Sequence, residues 1–157
     1  MNKIVWFRYD LRLIDNEAFL NATKNGNILP IFIFDEGYFK LEVSSSFHLK
    51  FIIESLDELD SKLQKQFGAN LNIYYGNTLE ILKKITEKFN INQVFSNKIF
   101  KNKYLNDLDL NLKNFFISKN VKWNFYNQFG IQLNHRERYK WSANWNKFIN
   151  SELTAGK

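Results

Sequence analysis

Cysteine is absent from this chain of 157 residues. Its absence removes disulfides, thiol nucleophiles and cysteine-ligated metal sites together, and leaves the redox compartment open. Proline occurs once and glycine six times, too few for a collagenous or linker-dominated chain. The two histidines, His48 and His135, have no second ligand at metal spacing and read as structural or surface side chains. No G-x-G-x-x-G follows the first hydrophobic segment, and neither G-x-x-x-x-G-K-[ST] nor G-x-S-x-G occurs. That argues against a dinucleotide fingerprint, a P-loop and a hydrolase elbow. There is no run of about 18 apolar residues, so no membrane span is expected. The chain enters a strand without a basic stretch ahead of an apolar one, so a secretory signal is not expected and a cytoplasmic location is.

What is present suits one globular domain with a substantial core: 45% of residues are apolar and 17% aromatic. Twenty-two basic residues against 16 acidic ones give a net charge of +6. An excess of lysine suits an anionic partner, and the plainer reading is a solvated lysine-rich surface.

Strand and helix patterns alternate along the chain. Residues 3–7 (K-I-V-W-F) form a short buried-type strand. Residues 15–24 read as a helix with Asp15 as N-cap. Residues 28–34 (I-L-P-I-F-I-F) are apolar on both faces, as in a buried parallel strand. A loop over 35–43 precedes a long helix to about Phe67, capped within Ser44–Ser46, with Phe47, Phe51, Ile52, Leu56, Leu59 and Leu63 as one apolar stripe. Residues 71–75, 92–95 and 121–125 are the remaining strands. A helix capped by Thr78 and another over 101–118 separate them.

Five strands joined by helices imply a doubly wound, five-stranded parallel sheet, Rossmann-like, with order 3-2-1-4-5 and the switch point beside strand one. The expected division is an α/β domain over 1–127 and a linker with a C-terminal helix over 128–157.

The loop after strand one is charged, not glycine-rich: Arg8, Asp10 and Arg12 end that strand. With the order above, Asp35, Glu36 and Tyr38 after strand two share its rim, as do Asn97, Lys98, Phe100 and Asn102 after strand four. Arg8, Asp35, Tyr38, Asn97 and Asn102 are the candidate ligand contacts, with Phe7, Phe34 or Tyr38 packing against a planar ligand. Asp10 and Arg12 are the candidates for a structural network that locks the first loop. Trp141, Trp145 and Phe148 fall on one face of the last helix, with basic Arg138 and Lys140 beside them. Such a stripe packs against this domain or another one, or stacks bases.

The segment W-F-R-Y-D-L-R-L-x-D-N resembles the N-terminus of the DNA photolyase and cryptochrome family. Leu29 to Asp35 (L-P-I-F-I-F-D) is similar to the family's second strand, and Phe51 to Leu59 (F-I-I-E-S-L-D-E-L) to its F-L-x-E-S-L-x-x-L helix. Tyr74-Tyr75-Gly76-Asn77 matches the R-x-G-[DN] turn in position, with Tyr in place of Arg. Phe129 to Trp145 resembles a branch with R-D-x-W-A-x-x-W. The resemblance implies an N-terminal antenna domain. Its pigment, a folate, a deazaflavin or a related flavin, passes excitation to flavin adenine dinucleotide (FAD) in a helical domain that acts on DNA or signals. Folate-binding members carry an Asn-Glu pair and R-x-R-D after strand four. Here Asn102 keeps the Asn, Lys103 replaces the Glu and Asn106 the Arg before Asp107, so a deazaflavin or flavin-type pigment is favoured over folate.

The resemblance implies FAD only through a missing domain or partner, DNA contact only indirectly, and no catalysis by this segment alone. One alternative is a docking module for a separate FAD-binding helical protein, with Arg138, Trp141 and Trp145 as its face. Another is a nucleotide-binding domain similar to universal stress proteins, which the lack of a glycine-rich phosphate loop disfavours.

Overall fold

The computed structural model describes residues 2–24, 26–41, 45–99, 102–127 and 138–151. The strands are β1 (Asn2–Phe7), β2 (Ile28–Asp35), β3 (Asn72–Gly76), β4 (Ile91–Asn97) and β5 (Lys122–Tyr126). They form one sheet of order β3-β2-β1-β4-β5, with every neighbouring pair parallel. Helices α1 (Glu17–Thr23), α2 (Glu36–Phe39), α3 (Ser46–Phe67), α4 (Thr78–Lys88) and α5 (Lys103–Ser118) connect the strands. A 3-10 turn (Arg138–Lys140) leads into α6 (Trp141–Ile149). Among the described residues no helix is long and apolar enough to cross a membrane.

Side chains alternate across a strand, and that parity divides the core. Val5, Phe7 and Phe32 pack with Phe19 of α1 and with Ile52, Leu56, Leu59 and Leu63 of α3. Ile4, Trp6, Ile31 and Ile33 pack on the other face with Leu82 and Ile85 of α4 and Leu112 and Phe116 of α5. Burial of β1 on both faces is what a central parallel strand requires.

Caps set the helix boundaries. Asn16, not Asp15, caps α1: its side chain accepts from the Phe19 N–H, and Asp15 turns the chain at φ 53. Asn77, not Thr78, caps α4. Ser45 caps α3, and Gly68 closes it in the left-handed conformation that glycine adopts without penalty. The expected loop after β2 contains α2, capped by Asp35.

The α3 stripe is narrower than its sequence suggested. Phe47 is 85% exposed and Phe51 is 66% exposed. They lie about 100° of helical rotation or more from the line through Ile52, Leu56, Leu59 and Leu63, so they face away from the sheet.

Candidate functional site

The sheet divides the expected rim into two clusters on opposite faces. On the α1 face, Asp10 and Asn97 are buried beside the α1 cap. The Asn97 Nδ2 donates to Asp10 Oδ2 at 2.5 Å and to Asn16 Oδ1 at 2.9 Å. Asn16 Nδ2 donates to Asp10 Oδ2 at 3.1 Å, and the Arg8 backbone N–H donates to Asp10 Oδ1 at 3.0 Å. Asp10 thus ties together β1, α1 and β4. Asn97 Oδ1 is buried without a hydrogen-bond partner among the described residues. The Arg12 side chain stands outside this cluster, half exposed and donating to the Asp15 carbonyl at 3.1 Å. Its backbone belongs to the cluster: the Arg12 N–H donates to the Asp10 carbonyl at 2.7 Å, and its own carbonyl accepts from Asn16 Nδ2 at 2.9 Å.

On the α5 face lies a pocket bounded by Trp6, Arg8, Asp35, Tyr38, Leu105 and Leu108, among others. Arg8 continues the parity of Ile4 and Trp6, so its guanidinium lies 4.4 Å from the Trp6 ring centroid in a cation–π contact. It also forms a two-pronged pair with Asp109 of α5, Nη2 to Oδ1 at 2.6 Å and Nη1 to Oδ2 at 3.1 Å. The Arg8 side chain is only 2% exposed. The pair pins α5 to the sheet, and Arg8 presents a cationic wall to the pocket.

Asp35 is the polar centre of this face. Its Oδ1 accepts from the Tyr38 N–H at 2.8 Å and from the Tyr104 hydroxyl at 2.6 Å, and its Oδ2 accepts from the Thr78 N–H at 3.1 Å. Burial pushes the carboxyl up, but hydrogen bonds from the Thr78 side chain, Tyr104 and the two backbone amides outweigh it and hold it below the ordinary aspartate value. Asp35 is therefore a carboxylate at neutral pH and accepts only. Burial first, then the bond to Asp35, raises the Tyr104 hydroxyl above the ordinary tyrosine value. Burial and a hydrogen bond with Tyr38 do the same to Tyr9. Tyr9 and Tyr38 meet edge to face at 5.8 Å.

The free space in this pocket is about 30 Å³, room for about one or two waters. A larger groove of about 470 Å³ runs along Phe34, Phe39, Leu49, Ile53 and Tyr75. Among the described residues it is lined by no charged group, whereas the smaller pocket is lined by Arg8 and Asp35.

Of the expected contacts, Arg8, Asp35 and Tyr38 come together here. Asn97 lies across the sheet. Asn102 is spent as the N-cap of α5, accepting from the Leu105 N–H at 3.0 Å. Phe7 is core, Phe34 lines the larger groove, and Trp6 supplies the aromatic floor instead. Phe100 falls outside the described residues, as does the Arg138 side chain. Sequence reasoning missed Tyr104, Thr78 and Asp109. Strand parity would have found Trp6, whereas Tyr104 reaches Asp35 across 69 positions without a local signal.

Comparison with known proteins places the sequence and the fold among relatives. The family described as DNA photolyase matches residues 3–127. Cryptochrome-1 of Aedes aegypti is 34% identical over 101 residues, covering 60% of this chain and 18% of the relative. A chloroplastic/mitochondrial cryptochrome DASH of Solanum lycopersicum is 34% identical over 102 residues, with the same two shares. This chain thus spans under a fifth of the length of these relatives. Among solved structures, an archaeal photolyase from Sulfolobus tokodaii, described with two FAD molecules, superposes with a TM-score of 0.79 at 25% identity, covering 100% of this chain and 37% of that one. A Synechocystis cryptochrome superposes with a TM-score of 0.80 at 20% identity, covering 99% of this chain and 36% of that one; at that identity the likeness concerns the fold.

Proposed function

The chain belongs to the DNA photolyase family, and from that premise we propose that its α/β domain is an antenna domain that holds a flavin-type pigment in the pocket between β1, β2 and α5. A bound pigment of this class absorbs near-ultraviolet and blue light. The protein's part is to hold it, shield it and orient it.

The observation that carries the reading is Asp35, a buried carboxylate above the Trp6 floor at the carboxyl end of a central strand, where doubly wound sheets place their ligands. The lining suits a planar heterocycle: Trp6, Tyr9 and Tyr38 make its wall aromatic, Asp35 accepts, and Arg8 lends positive potential. Leu105 and Leu108 supply the apolar lid expected of small-molecule sites. With Lys103 and Asn106 in place of the folate-type residues, a flavin or deazaflavin is the pigment class. Transfer of excitation to FAD in a helical domain, and through it action on DNA or signalling, belongs to the same proposal. So does the assignment of the Trp141 and Trp145 face to contact with such a domain.

The test is to mix the purified chain separately with FMN, a deazaflavin and methenyltetrahydrofolate. Gel filtration is then read by absorbance, and binding by fluorescence. Expected is co-elution of FMN or the deazaflavin, with folate absent. Failure of both flavin-type pigments to co-elute would remove the antenna reading.

A further inference from the structure

Asp35 is held by donors of two kinds. The Tyr38 and Thr78 amides belong to the starts of α2 and α4 and cannot leave without unwinding them. The Thr78 side chain is buried. Tyr104 is different: it is a partly exposed side chain on the first turn of α5, donating from its tip at 2.6 Å. Its ring lies in a notch over Gly37. A Cβ at Gly37 would stand 2.1 Å from the Tyr104 hydroxyl oxygen and 2.8 Å from Cζ. Asp35, which Tyr104 holds, also lines the neighbouring pocket. That pocket has only about 30 Å³ of free space, whereas planar drug-sized ligands occupy sites of roughly 300 Å³ or more.

We infer that Tyr104 is the gate and the specificity-determining residue of this pocket, and that the ligand it admits is a planar heterocycle carrying at its polar edge an imide N–H flanked by two carbonyls. That N–H replaces the tyrosine hydroxyl on Asp35 Oδ1. The inference rests on the pigment reading above and adds to it a rule of admission. When Tyr104 swings out, it vacates the notch over Gly37 and frees one acceptor on Asp35 together, and its own hydroxyl passes to water. An incoming N–H restores the hydrogen bond that was broken. A ligand with only acceptors at that edge meets a carboxylate head on, and leaves a buried charge one donor short. Flavin and deazaflavin rings each carry one such imide N–H, at position 3.

The experiment titrates wild-type protein and Tyr104→Phe with riboflavin and with 3-methylriboflavin, following flavin fluorescence. Circular dichroism confirms that the variant is folded. Tyr104→Phe keeps the ring and removes the competing donor, so riboflavin should bind about tenfold more tightly than to wild type. The 3-methyl derivative should bind wild type at least tenfold more weakly than riboflavin does. Equal affinity of wild type for the two flavins overturns the gate, and needs no variant to fold. Riboflavin binding unchanged or weakened in a folded Tyr104→Phe overturns it as well. In both cases the pocket remains a pigment site. If riboflavin binds neither protein, the pigment reading itself falls and takes the gate with it.

Discussion

Arg8 shows how one side chain can carry a family-like motif and yet have its capacity already engaged. Its planar guanidinium is matched to a carboxylate in a two-pronged geometry, and Asp109 supplies that carboxylate from 101 positions away. Desolvating the pair costs free energy that the short contacts and the Trp6 face offset. Removing one member alone leaves the other buried and unpaired. Asp109→Ala should therefore lower stability by about 3–5 kcal/mol in a urea titration at pH 7, well beyond what a half-exposed helix aspartate loses. Asp15→Asn, which suits the same φ of 53 and whose Arg12 partner is exposed, should change it by less than about 1 kcal/mol. The sequence indicated that Arg8 sits at a strand end. It did not indicate that Arg8 would be paired, because the partner is a distant residue on a helix whose rotation depends on packing.

At the scale of elements, the α2–α5 contact depends on one glycine. Gly37 lies within α2, where alanine would ordinarily be the better residue by about 0.5–1 kcal/mol. Tyr104 reverses that preference by occupying the space of a Cβ. Because the atom in the way is the far end of a side chain, Gly37→Ala should shift Tyr104 and not the backbone. The cost is then the lost bond to Asp35, about 1–3 kcal/mol. In a Tyr104→Ala background the same substitution should be neutral or stabilising. A double-mutant cycle measured by urea unfolding reads this change of sign as a coupling energy. Additive effects would mean that the two helices do not meet through these residues. Helices and strands were largely legible because apolar periodicity and Asn, Ser and Gly caps mark them. The failures have local causes. Phe47 and Phe51 match the α3 stripe in spacing, yet a helix buries only the sector facing its sheet. Asn102 reads as a rim residue but is consumed as a cap.

For the whole molecule, the strand order followed from βα alternation and the handedness of crossovers, because parallel neighbours leave few other solutions. The site was only half legible. Position along a strand told which residues reach the carboxyl edge, but parity decides the face and sends Asn97 away from Arg8 and Asp35. Asp10 lies past the end of β1 at Phe7, where the turn of the chain, not parity, carries it to Asn16 and Asn97. The last helix stands apart energetically. Trp141 and Trp145 stack at 5.8 Å with planes 8° apart, and Phe148 adds a third ring 6.1 Å from Trp145. No residue of α6 is buried, and Trp141 is 53% exposed. The rings shelter one another instead of entering either core. Substituting both tryptophans should thus leave the sheet's stability within about 0.5 kcal/mol, while the near-ultraviolet dichroism of the stacked indoles disappears. Urea unfolding followed at 222 nm, beside near-ultraviolet spectra of Trp141→Ala/Trp145→Ala, separates the two quantities. A loss above about 2 kcal/mol would mean that α6 helps to hold the sheet. An unchanged midpoint leaves its aromatic face available to another domain, the role that the contact proposed above requires.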